Sequence, residues 1–488
     1  MKVRIRMYRQ GLGDCFLLTF STDSQKAHVL IDCGTLGATT TGVKMKDVAQ
    51  NIAQETDQHI HLLIATHEHK DHLSGFRDQK ALFETIQFDN VWLAWTENAE
   101  DPLAQQVKKY NKDLQTAMHL AANALRANQA DDQKEREALA KTGSGIRELL
   151  SFYGDYDGEA LGANFSETVN EAMNYVLSRA PGGKPLFLSP GTVLERDWLP
   201  GVRFYVLGPP RKPEQLKILG EHGHPELYEM AGSSAAGFAA SAGLFQAPKS
   251  WSEYVSGLDL QEREELERAF PFDRRYRRDA TNRQVRRQYY ENYDDPSAAW
   301  RKIEYDWLGT AADFALQLDN MTNNTSLALA IELIEDGRVL LFPADAQVGN
   351  WMSWHDLKWK VKQPNGSMKE VTAEDLLRNT VLYKVGHHSS HNATMREHGL
   401  EMMKSRDLLA LIPVDRQVAL NKTPPWQMPA AALYERLLEK STGRVLRSDT
   451  GWPADPDRPS SISKANWDQA RTNANVTVNT LFIDALVE

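Results

Sequence analysis

A short run of the chain, from Thr66 to His72, carries a dense set of metal-binding side chains. Its three imidazoles and the carboxylate of Asp71 are ligands that suit zinc, iron or manganese. In a tight turn His67 and His69 can reach one ion, while Asp71 and His72 point toward a second. A polar surface loop is the alternative, but three of the chain's 14 histidines rarely fall at this spacing directly after an apolar strand. The run therefore predicts a metal site.

Apolar strands must position this run and the residues that complete it. The segment from Leu62 to Ala65 reads as a buried strand directly before the run. Two later strand candidates also end in metal-binding residues: Val339 to Phe342 before Asp345, and Val381 to Val385 before His387 and His388. Sites in open α/β sheets gather beyond the carboxyl ends of strands, so we expect Asp345 and one of the two histidines to join the site. Position in the run favours His387 over His388.

Strand-like and helix-like sequence alternate along the rest of the chain. Strand candidates, rich in β-branched and aromatic residues, are 3–8, 16–20, 29–31, 62–65, 91–95, 203–207, 327–334, 339–342, 381–385, 408–414, 444–447 and 476–483. Residues 44–58 have helical spacing, and amphipathic helices follow between 100 and 180. The pattern predicts one α/β domain formed by 1–97, 186–210 and 313–488, with two mainly helical insertions at 98–185 and 211–312. Surface loops accept such insertions at little cost.

Composition limits the class of protein. Apolar residues make up 41% of the 488, enough for a sizeable core, and no apolar run is long enough to span a membrane. The first residues alternate as a strand does and lack the features of a signal peptide, so we expect a cytoplasmic protein with no membrane partner. Cys15 and Cys33 read as small buried apolar side chains. The net charge of −10 disfavours a broad nucleic-acid-binding surface but allows a local basic channel.

These motifs resemble the metallo-β-lactamase superfamily, whose signature is H-x-H-x-D-H after a strand, then a bridging aspartate and a distal histidine. Within it, the chain is most similar to the metallo-hydrolase domain of bacterial DNA-uptake competence proteins. The supporting segments are Gly11–Leu18, Leu30–Gly34, Asn323–Leu329 and Gly386–Ser390. The resemblance covers roughly 1–95, 200–210 and 320–488. It implies a four-layer αβ/βα sandwich with two metal ions, zinc first and manganese second, at one edge of the sheets.

The resemblance also implies a role for each matching residue. His67 and His69 would bind the first metal, and Asp71 and His72 the second. Asp345 would bridge the two ions, and His387 would join the second, with His388 as the alternative ligand. Asp32 would orient the ligands by hydrogen bonding, the usual task of such a carboxylate. Asp14 would either approach the site or serve the turn after Gly13.

One expected ligand is missing from the sequence. The family often has another histidine for the first metal, and the matching strand end, Val206 to Pro210, has none. His222 and His224 lie nearby in the chain and could serve, although such a pair in a polar insertion is more often on the surface. Whether the first metal is bound is therefore open at this point.

The predicted chemistry is hydrolysis by a metal-bound hydroxide, with Asp71 also passing a proton to the leaving group. The first predicted substrate is a phosphodiester in a nucleic acid or nucleotide, because the most similar branch is associated with DNA processing. Arg277, Arg278 and His391 are candidate substrate contacts. The two arginines belong to an Arg- and Tyr-rich stretch that would suit phosphates and bases, or would simply be a solvated helix face.

Two alternatives remain. A hydrolase of lactones, lactams or thioesters would use the same metals, and Trp351, Trp354 and Trp359 could line its apolar pocket or pack in the core. A non-enzymatic binding module with a degraded site would explain the missing histidine, but the intact run opposes it. No sequence feature identifies a protein partner.

Overall fold

A computed structural model describes residues 1–22, 25–126, 133–156, 165–166, 168–216, 283–285, 311–363, 365–422 and 425–488. They form a mixed α/β fold with several sheets. The strands are β1 (Lys2–Tyr8), β2 (Cys15–Ser21), β3 (Lys26–Cys33), β4 (His59–Ile60), β5 (Leu62–Ala65), β6 (Gln87–Phe88), β7 (Val91–Ala94), β8 (Asp155–Tyr156), β9 (Phe165–Ser166), β10 (Leu186–Leu188), β11 (Val193–Arg196), β12 (Leu199–Val206), β13 (Leu329–Leu333), β14 (Arg338–Phe342), β15 (Lys358–Lys362), β16 (Met368–Thr372), β17 (Thr380–Lys384), β18 (Leu409–Ile412), β19 (Val445–Arg447), β20 (Val476–Val478) and β21 (Phe482–Val487).

Helices separate many of these strands. They are α1 (Met45–Glu55), α2 (Lys70–Asp78), α3 (Lys80–Phe83), α4 (Pro102–Arg126), α5 (Gln133–Leu150), α6 (Thr168–Ser178), α7 (Pro213–Leu216), α8 (Arg283–Val285), α9 (Ala311–Asn324), α10 (Val348–Trp354), α11 (Ala373–Arg378), α12 (Arg416–Leu420), α13 (Ala431–Lys440) and α14 (Lys464–Asn473). None of these described helices combines the length and the apolar character needed to cross a bilayer.

The first large sheet has the strand order β10-β7-β5-β3-β2-β1-β21-β20. Strands β1, β2 and β3 form an antiparallel meander, and β3, β5, β7 and β10 run parallel to one another. In β5, Leu62 and Ile64 face the second sheet, whereas Leu63 and Ala65 face the helices on the other side. Because successive side chains of a strand point to opposite faces, a strand buried on both faces must be apolar throughout, as this one is.

The second large sheet has the order β11-β12-β13-β14-β17-β18-β19. Its first four strands are antiparallel, and the strands from β14 to β19 are parallel. The carboxyl ends of β14 and β17 therefore lie at one edge, and the segments after them carry Asp345 and His388. Strand β15, which contains Trp359, pairs with β16 in a separate two-stranded sheet.

An apolar core joins the two large sheets. Edge-to-face aromatic pairs cross it, with ring centroids 5.6 Å apart for Phe16 and Phe342 and 5.0 Å apart for Trp92 and Phe204. Helices α1, α2 and α6 pack on the outer face of the first sheet. Helices α10, α11 and α13 pack on the outer face of the second. The site described below lies where the ends of strands from both sheets meet.

Each predicted strand overlaps an observed one, and the prediction at 476–483 covers β20 and the start of β21. The described strands that were missed are β4, β6, β8, β9, β10, β11 and β16, together with the polar strand β15. The predicted helix at 44–58 is α1, and the predicted helices of the first insertion are α4, α5 and α6. Trp351, Trp354 and Trp359 are buried in the core, as the packing alternative of the sequence analysis has it. Most of the second insertion, including His222, His224, Arg277 and Arg278, lies outside the described residues.

Candidate metal centre

The run from His67 to His72 lies at the carboxyl end of β5, where the chain turns into helix α2. His69 has an extended backbone (φ −121°, ψ 150°) at the position before the helix, and Asp71 and His72 occupy its first turn. The backbone N–H of Lys70 donates to the carbonyl of Phe152, which follows helix α5, at 2.7 Å. The first helical insertion therefore packs directly against the run.

Four buried side chains form the centre of the site. Asp71, His72, Asp345 and His388 each offer a ligand atom, and these atoms all lie within 4.8 Å of one another. His388 Nε2 is 2.8 Å from Asp71 Oδ2, and His72 Nε2 is 3.2 Å from Asp345 Oδ2. All four side chains are fully buried. Two come from helix α2 and two from the segments after β14 and β17, so both sheets contribute.

The unpaired atoms of this group test whether a metal ion would fit. Buried atoms with no hydrogen-bond partner among the described residues include Asp71 Oδ1, His72 Nε2, Asp345 Oδ2 and His69 Nε2. A buried polar atom without a partner costs about 1–3 kcal/mol. Convergent imidazole nitrogens and carboxylate oxygens are the donor set of a divalent transition ion. The residues therefore fit a metal, and could hold one.

Asp32 orients His72 within the centre. Its carboxylate accepts hydrogen bonds from the Thr66 backbone N–H at 2.9 Å, from the Thr66 hydroxyl at 2.7 Å and from His72 Nδ1 at 2.7 Å. Asp32 has a φ of 56°, in the left-handed region that is unfavourable for a residue other than glycine. Because Nδ1 donates to Asp32, Nε2 of His72 is turned toward Asp71 and Asp345.

His388 is oriented in a similar way by the backbone. Its Nδ1 lies 2.7 Å from the Pro413 carbonyl, which can only accept, so Nδ1 carries a proton. Its Nε2 faces the Asp71 carboxylate, another acceptor. Although burial by itself would lower it, the pKa of His388 is raised by Asp71 and Asp345. His388 Nε2, which faces Asp71, is therefore the nitrogen that would bind an ion.

The pKa of His72, like that of His388, is affected in opposite directions by burial and by nearby carboxylates. Burial would lower its pKa, but the carboxylates of Asp345, Asp14, Asp71 and Asp32 together raise it well above the usual value. A divalent ion would offset the same negative charge that raises the pKa of both histidines. Ion binding should therefore release protons, as it does wherever ligands must be deprotonated.

Lys384 is a buried cation that the sequence analysis missed. Its Nζ lies 2.5 Å from Asp14 Oδ2, 3.0 Å from Asp345 Oδ1 and 2.8 Å from the Ala344 carbonyl. Burial alone would lower the pKa of Lys384, but Asp14 and Asp345 raise it. Since Lys384 holds Oδ1 of Asp345, Oδ2 is left free for the centre. A lysine inside an otherwise apolar strand was the signal that could have revealed it.

His67 and His69 lie beside the group of four without belonging to it. His67 Nε2 and His69 Nδ1 are 3.1 Å apart. Burial and the neighbouring histidines lower the pKa of His67 well below its usual value, and burial lowers that of His69 to about 3. Both rings are therefore neutral near pH 7, and one of the two facing nitrogens donates its proton to the lone pair of the other. The rings of Phe152 and Tyr153 lie 5.2 and 4.9 Å from that of His69.

Asp319, on helix α9, is a further buried carboxylate near the centre that the sequence analysis missed. Its Oδ2 accepts a hydrogen bond from Asn323 Nδ2 at 3.0 Å, and its Oδ1 has no partner among the described residues. Burial, with the negative charges of Asp71 and Asp345, raises the pKa of Asp319 to about 8. Asp319 and Asn323 are four residues apart and so lie on one face of helix α9. Two polar residues on a face that points into the protein were the sequence signal that could have revealed Asp319.

The structure places His388, and not His387, in the group of four, whereas position in the sequence favoured His387. His387, His388 and Ser389 all have positive φ values, of 42°, 51° and 65°. In this unusual turn, His387 Nδ1 lies 2.9 Å from the Ser390 hydroxyl and 3.3 Å from Gln347 Nε2. The His387 backbone N–H donates to Asp345 Oδ1 at 2.9 Å.

The remaining predicted residues have separate positions. Asp14 is buried against Lys384 and contributes to the charge around the centre. His391 is exposed and lies outside the group of four. The strand end after β12 has no histidine, and its Gly208 packs so closely on Asn350 that no Cβ would fit there. The missing third histidine of the first site is therefore not replaced at that strand end.

Comparison with known proteins finds no family model that matches the chain, and no curated protein that matches it. The resemblance to the metallo-β-lactamase superfamily stays a prediction from motifs.

Proposed function

We propose that this protein is a metal-dependent hydrolase of the metallo-β-lactamase type. The observation that carries the proposal is the group Asp71, His72, Asp345 and His388, whose ligand atoms converge in a fully buried site. Burying two carboxylates and two imidazoles together is costly unless an ion or protons offset their charge. A site built only for stability would be better served by apolar side chains.

The arrangement of layers supports a four-layer αβ/βα sandwich. Two sheets share one apolar core, and helices cover both outer faces. The centre lies at the edge where β5, β14 and β17 end. We propose this architecture as the one that the motif resemblance implies.

Six side chains would hold two ions. His67 and His69 would bind the first, and Asp71, His72 and His388 the second, with Asp345 between them. Zinc is the first candidate and manganese the second. Such ions would supply a water molecule of lowered pKa as the nucleophile near neutral pH.

The protein's own residues orient the reaction. Asp32 and the Pro413 carbonyl fix the rings of His72 and His388. Asp71 is held through Oδ2 by His388, so its unpaired Oδ1 can take a proton and deliver it to the leaving group. Asp71 is therefore the proposed catalytic residue as well as a ligand.

A phosphodiester is the proposed substrate. A polar cavity of about 170 Å³ lies beside the run, lined by Glu68, Lys108, Asn111, Lys112 and Tyr153 among others. Its lining also includes the carboxylates of Glu68 and Glu97, both of which pair with Lys108, so the groups that favour a phosphate over an apolar ring are the hydroxyls, the amides and Lys112. The buried tryptophans, which would have favoured a lactone or lactam, are part of the core.

A substrate panel tests this function. Purified protein would be analysed for bound metal and assayed with added zinc or manganese on a chromogenic phosphodiester, single- and double-stranded DNA, RNA and a chromogenic lactam. We expect phosphodiester hydrolysis that Asp71→Ala and Asp345→Ala each reduce at least 100-fold, with the exposed Asp336→Ala as control. Activity that survives both variants would overturn the site. A folded, metal-loaded protein inert on every substrate would instead favour a binding module.

A further inference from the structure

A second set of metal-binding side chains lies at the opposite end of strand β5. His59, His61 and Asp89 each offer a ligand atom, and these atoms all lie within 4.8 Å of one another. We propose that these three residues, named here the peripheral cluster, bind one divalent transition ion such as Zn²⁺, Ni²⁺ or Cu²⁺. Imidazole nitrogen is a preferred donor for these ions, whereas Mg²⁺ and Ca²⁺ prefer sites made of oxygen alone.

The local backbone places the three side chains together. His59 and His61 are two residues apart in extended chain, so they point to the same side, and Ile60 between them points inward and is fully buried. Strand β4, which begins at His59, pairs in parallel with β6. The backbone N–H of Asp89, directly after β6, donates to the Ile60 carbonyl at 3.1 Å. Two strands and a backbone hydrogen bond therefore preorganise the ligands.

The contacts within the peripheral cluster involve ring protons that a bound ion would have to displace. His59 Nε2 is 2.7 Å from Asp89 Oδ2, and the rings of His59 and His61 are 4.5 Å apart. Among the described residues, the ring of His61 has one hydrogen bond, a long one of 3.3 Å from the His28 backbone N–H to Nδ1.

The partial exposure of the peripheral cluster defines what kind of site it is. The side chains of His59 and Asp89 are 40% and 36% exposed, so solvent can reach a bound ion. Three protein ligands would leave at least one position for water. Because His59 belongs to β4 and Asp89 follows β6, a bound ion would also hold these two short strands together.

The peripheral cluster is separate from the buried centre. The four residues of β5 lie between them, a length of about 13 Å at ~3.3 Å per residue. Loss of one site should therefore leave ion binding at the other unchanged. This independence allows the two proposals to be tested apart.

Calorimetric titration with Zn²⁺ and Ni²⁺ tests the peripheral cluster. In an Asp345→Ala background, we expect one equivalent to bind, and His61→Ala to weaken that binding at least tenfold. His398→Ala is the matched control, because His398 also neighbours a histidine, with rings 5.3 Å apart, but belongs to no ligand group among the described residues. Binding equal in His61→Ala and the control would overturn the proposal.

Fluorescence gives a second readout that does not require the Asp345→Ala variant to fold. The Trp198 ring lies 5.7 Å from that of His61, so bound Cu²⁺ should quench its emission. We expect a quenching component that disappears in both His61→Ala and Trp198→Phe and persists in His398→Ala. Hydrolysis of the phosphodiester should be unchanged by His61→Ala. Quenching that persists in His61→Ala would count against the peripheral cluster, whereas loss of hydrolysis alone in Asp345→Ala concerns only the buried centre.

Discussion

At the scale of single residues, the centre contains four buried carboxylates and one buried lysine that compensates part of their negative charge. Asp14, Asp32, Asp71 and Asp345 are all buried, and Lys384 contacts two of them directly. Removing one partner of a buried ion pair leaves the other charge without compensation. Lys384 is therefore expected to matter for stability as much as any ligand matters for activity.

Replacing Lys384 by methionine tests this expectation. The substitution preserves much of the side-chain volume but removes the ammonium group that Asp14 and Asp345 share, so we expect a loss of about 3–5 kcal/mol in the free energy of unfolding of EDTA-treated protein. Urea denaturation would measure it. Lys360→Met, at an exposed lysine of β15, is the control and should change stability little. Equal stability of the two variants would show that Lys384 does not compensate the carboxylates.

Asp319 predicts a dependence of stability on pH. Its pKa is about 8 in the folded protein against 3.8 for an ordinary aspartate, so the folded state keeps a proton that the unfolded chain releases. Its contribution to stability is thus present at low pH and is lost as the pH rises from about 4 to about 8. In EDTA-treated protein, Asp319→Asn should lessen this decline, measured by urea denaturation across the range. A decline that is identical in both proteins would contradict the prediction.

The sequence revealed some of these residues and concealed others for physical reasons. The run from His67 to His72 is recognisable because its ligands are adjacent in the chain. The choice between His387 and His388 depends on three successive positive φ values, which no spacing rule predicts. Lys384 and Asp319 act through neighbours that are distant in sequence, so their roles become visible only when the strands and helix α9 are in place.

At the scale of elements, two loops of the first sheet support the start of helix α2. The Asp14 backbone N–H donates to the Asp71 carbonyl at 2.9 Å, and the Gly34 N–H donates to the Asp14 carbonyl at 2.9 Å. A Cβ on Gly34 would lie 2.3 Å from the carbonyl carbon of Asp71, far inside contact distance. The loops therefore set the position of two ligands through the backbone.

Gly34→Ala should displace Asp71 and His72 and weaken metal binding at the centre. We expect at least a tenfold loss of affinity, since misplaced ligands lose coordination geometry, together with a lower Tm. Gly37→Ala is the control, because nothing lies within 4 Å of its added Cβ, although its φ of 99° causes backbone strain. Calorimetry with zinc would compare them. If Gly37→Ala weakens binding as much, strain and not the contact with Asp71 is responsible.

Strands were predictable from the sequence where apolar residues are continuous. They were harder to predict where exposed and buried residues alternate. Strands β5 and β14 are apolar because both of their faces are covered. Strand β15 instead alternates exposed lysines with buried Trp359 and Val361, and its five residues were not recognised as a strand. Edge strands such as β10 and β11 are short and partly exposed, which gives them a weak apolar pattern.

At the scale of the whole molecule, the centre connects the two large sheets. Asp71 and His72 belong to the half built on the first sheet, and Asp345 and His388 follow strands of the second. An ion bound by all four would hold the two halves together and stabilise the folded state over the unfolded one. The sequence could not show this connection, because it depends on how the sheets face each other.

Removal of metal should therefore lower stability. At an ion concentration 1,000-fold above its Kd, binding contributes about 4 kcal/mol, so we expect EDTA to lower Tm and added zinc to restore it. Differential scanning calorimetry would follow the change. The shift should persist in His61→Ala and nearly vanish in Asp345→Asn. A Tm that is insensitive to EDTA in protein shown to contain metal would contradict the role of the centre as a link between sheets.

The separation of the ligands along the chain also has a consequence for biosynthesis. His388 and Asp71, whose side chains are 2.8 Å apart, are separated by 317 positions in the sequence. At a synthesis rate of about 5–20 residues per second, roughly 15–60 s pass between the appearance of the first of these ligands and the last. During that interval the nascent chain presents His67, His69, Asp71 and His72 without their partners. A complete group of four would therefore exist only after His388 has been synthesised.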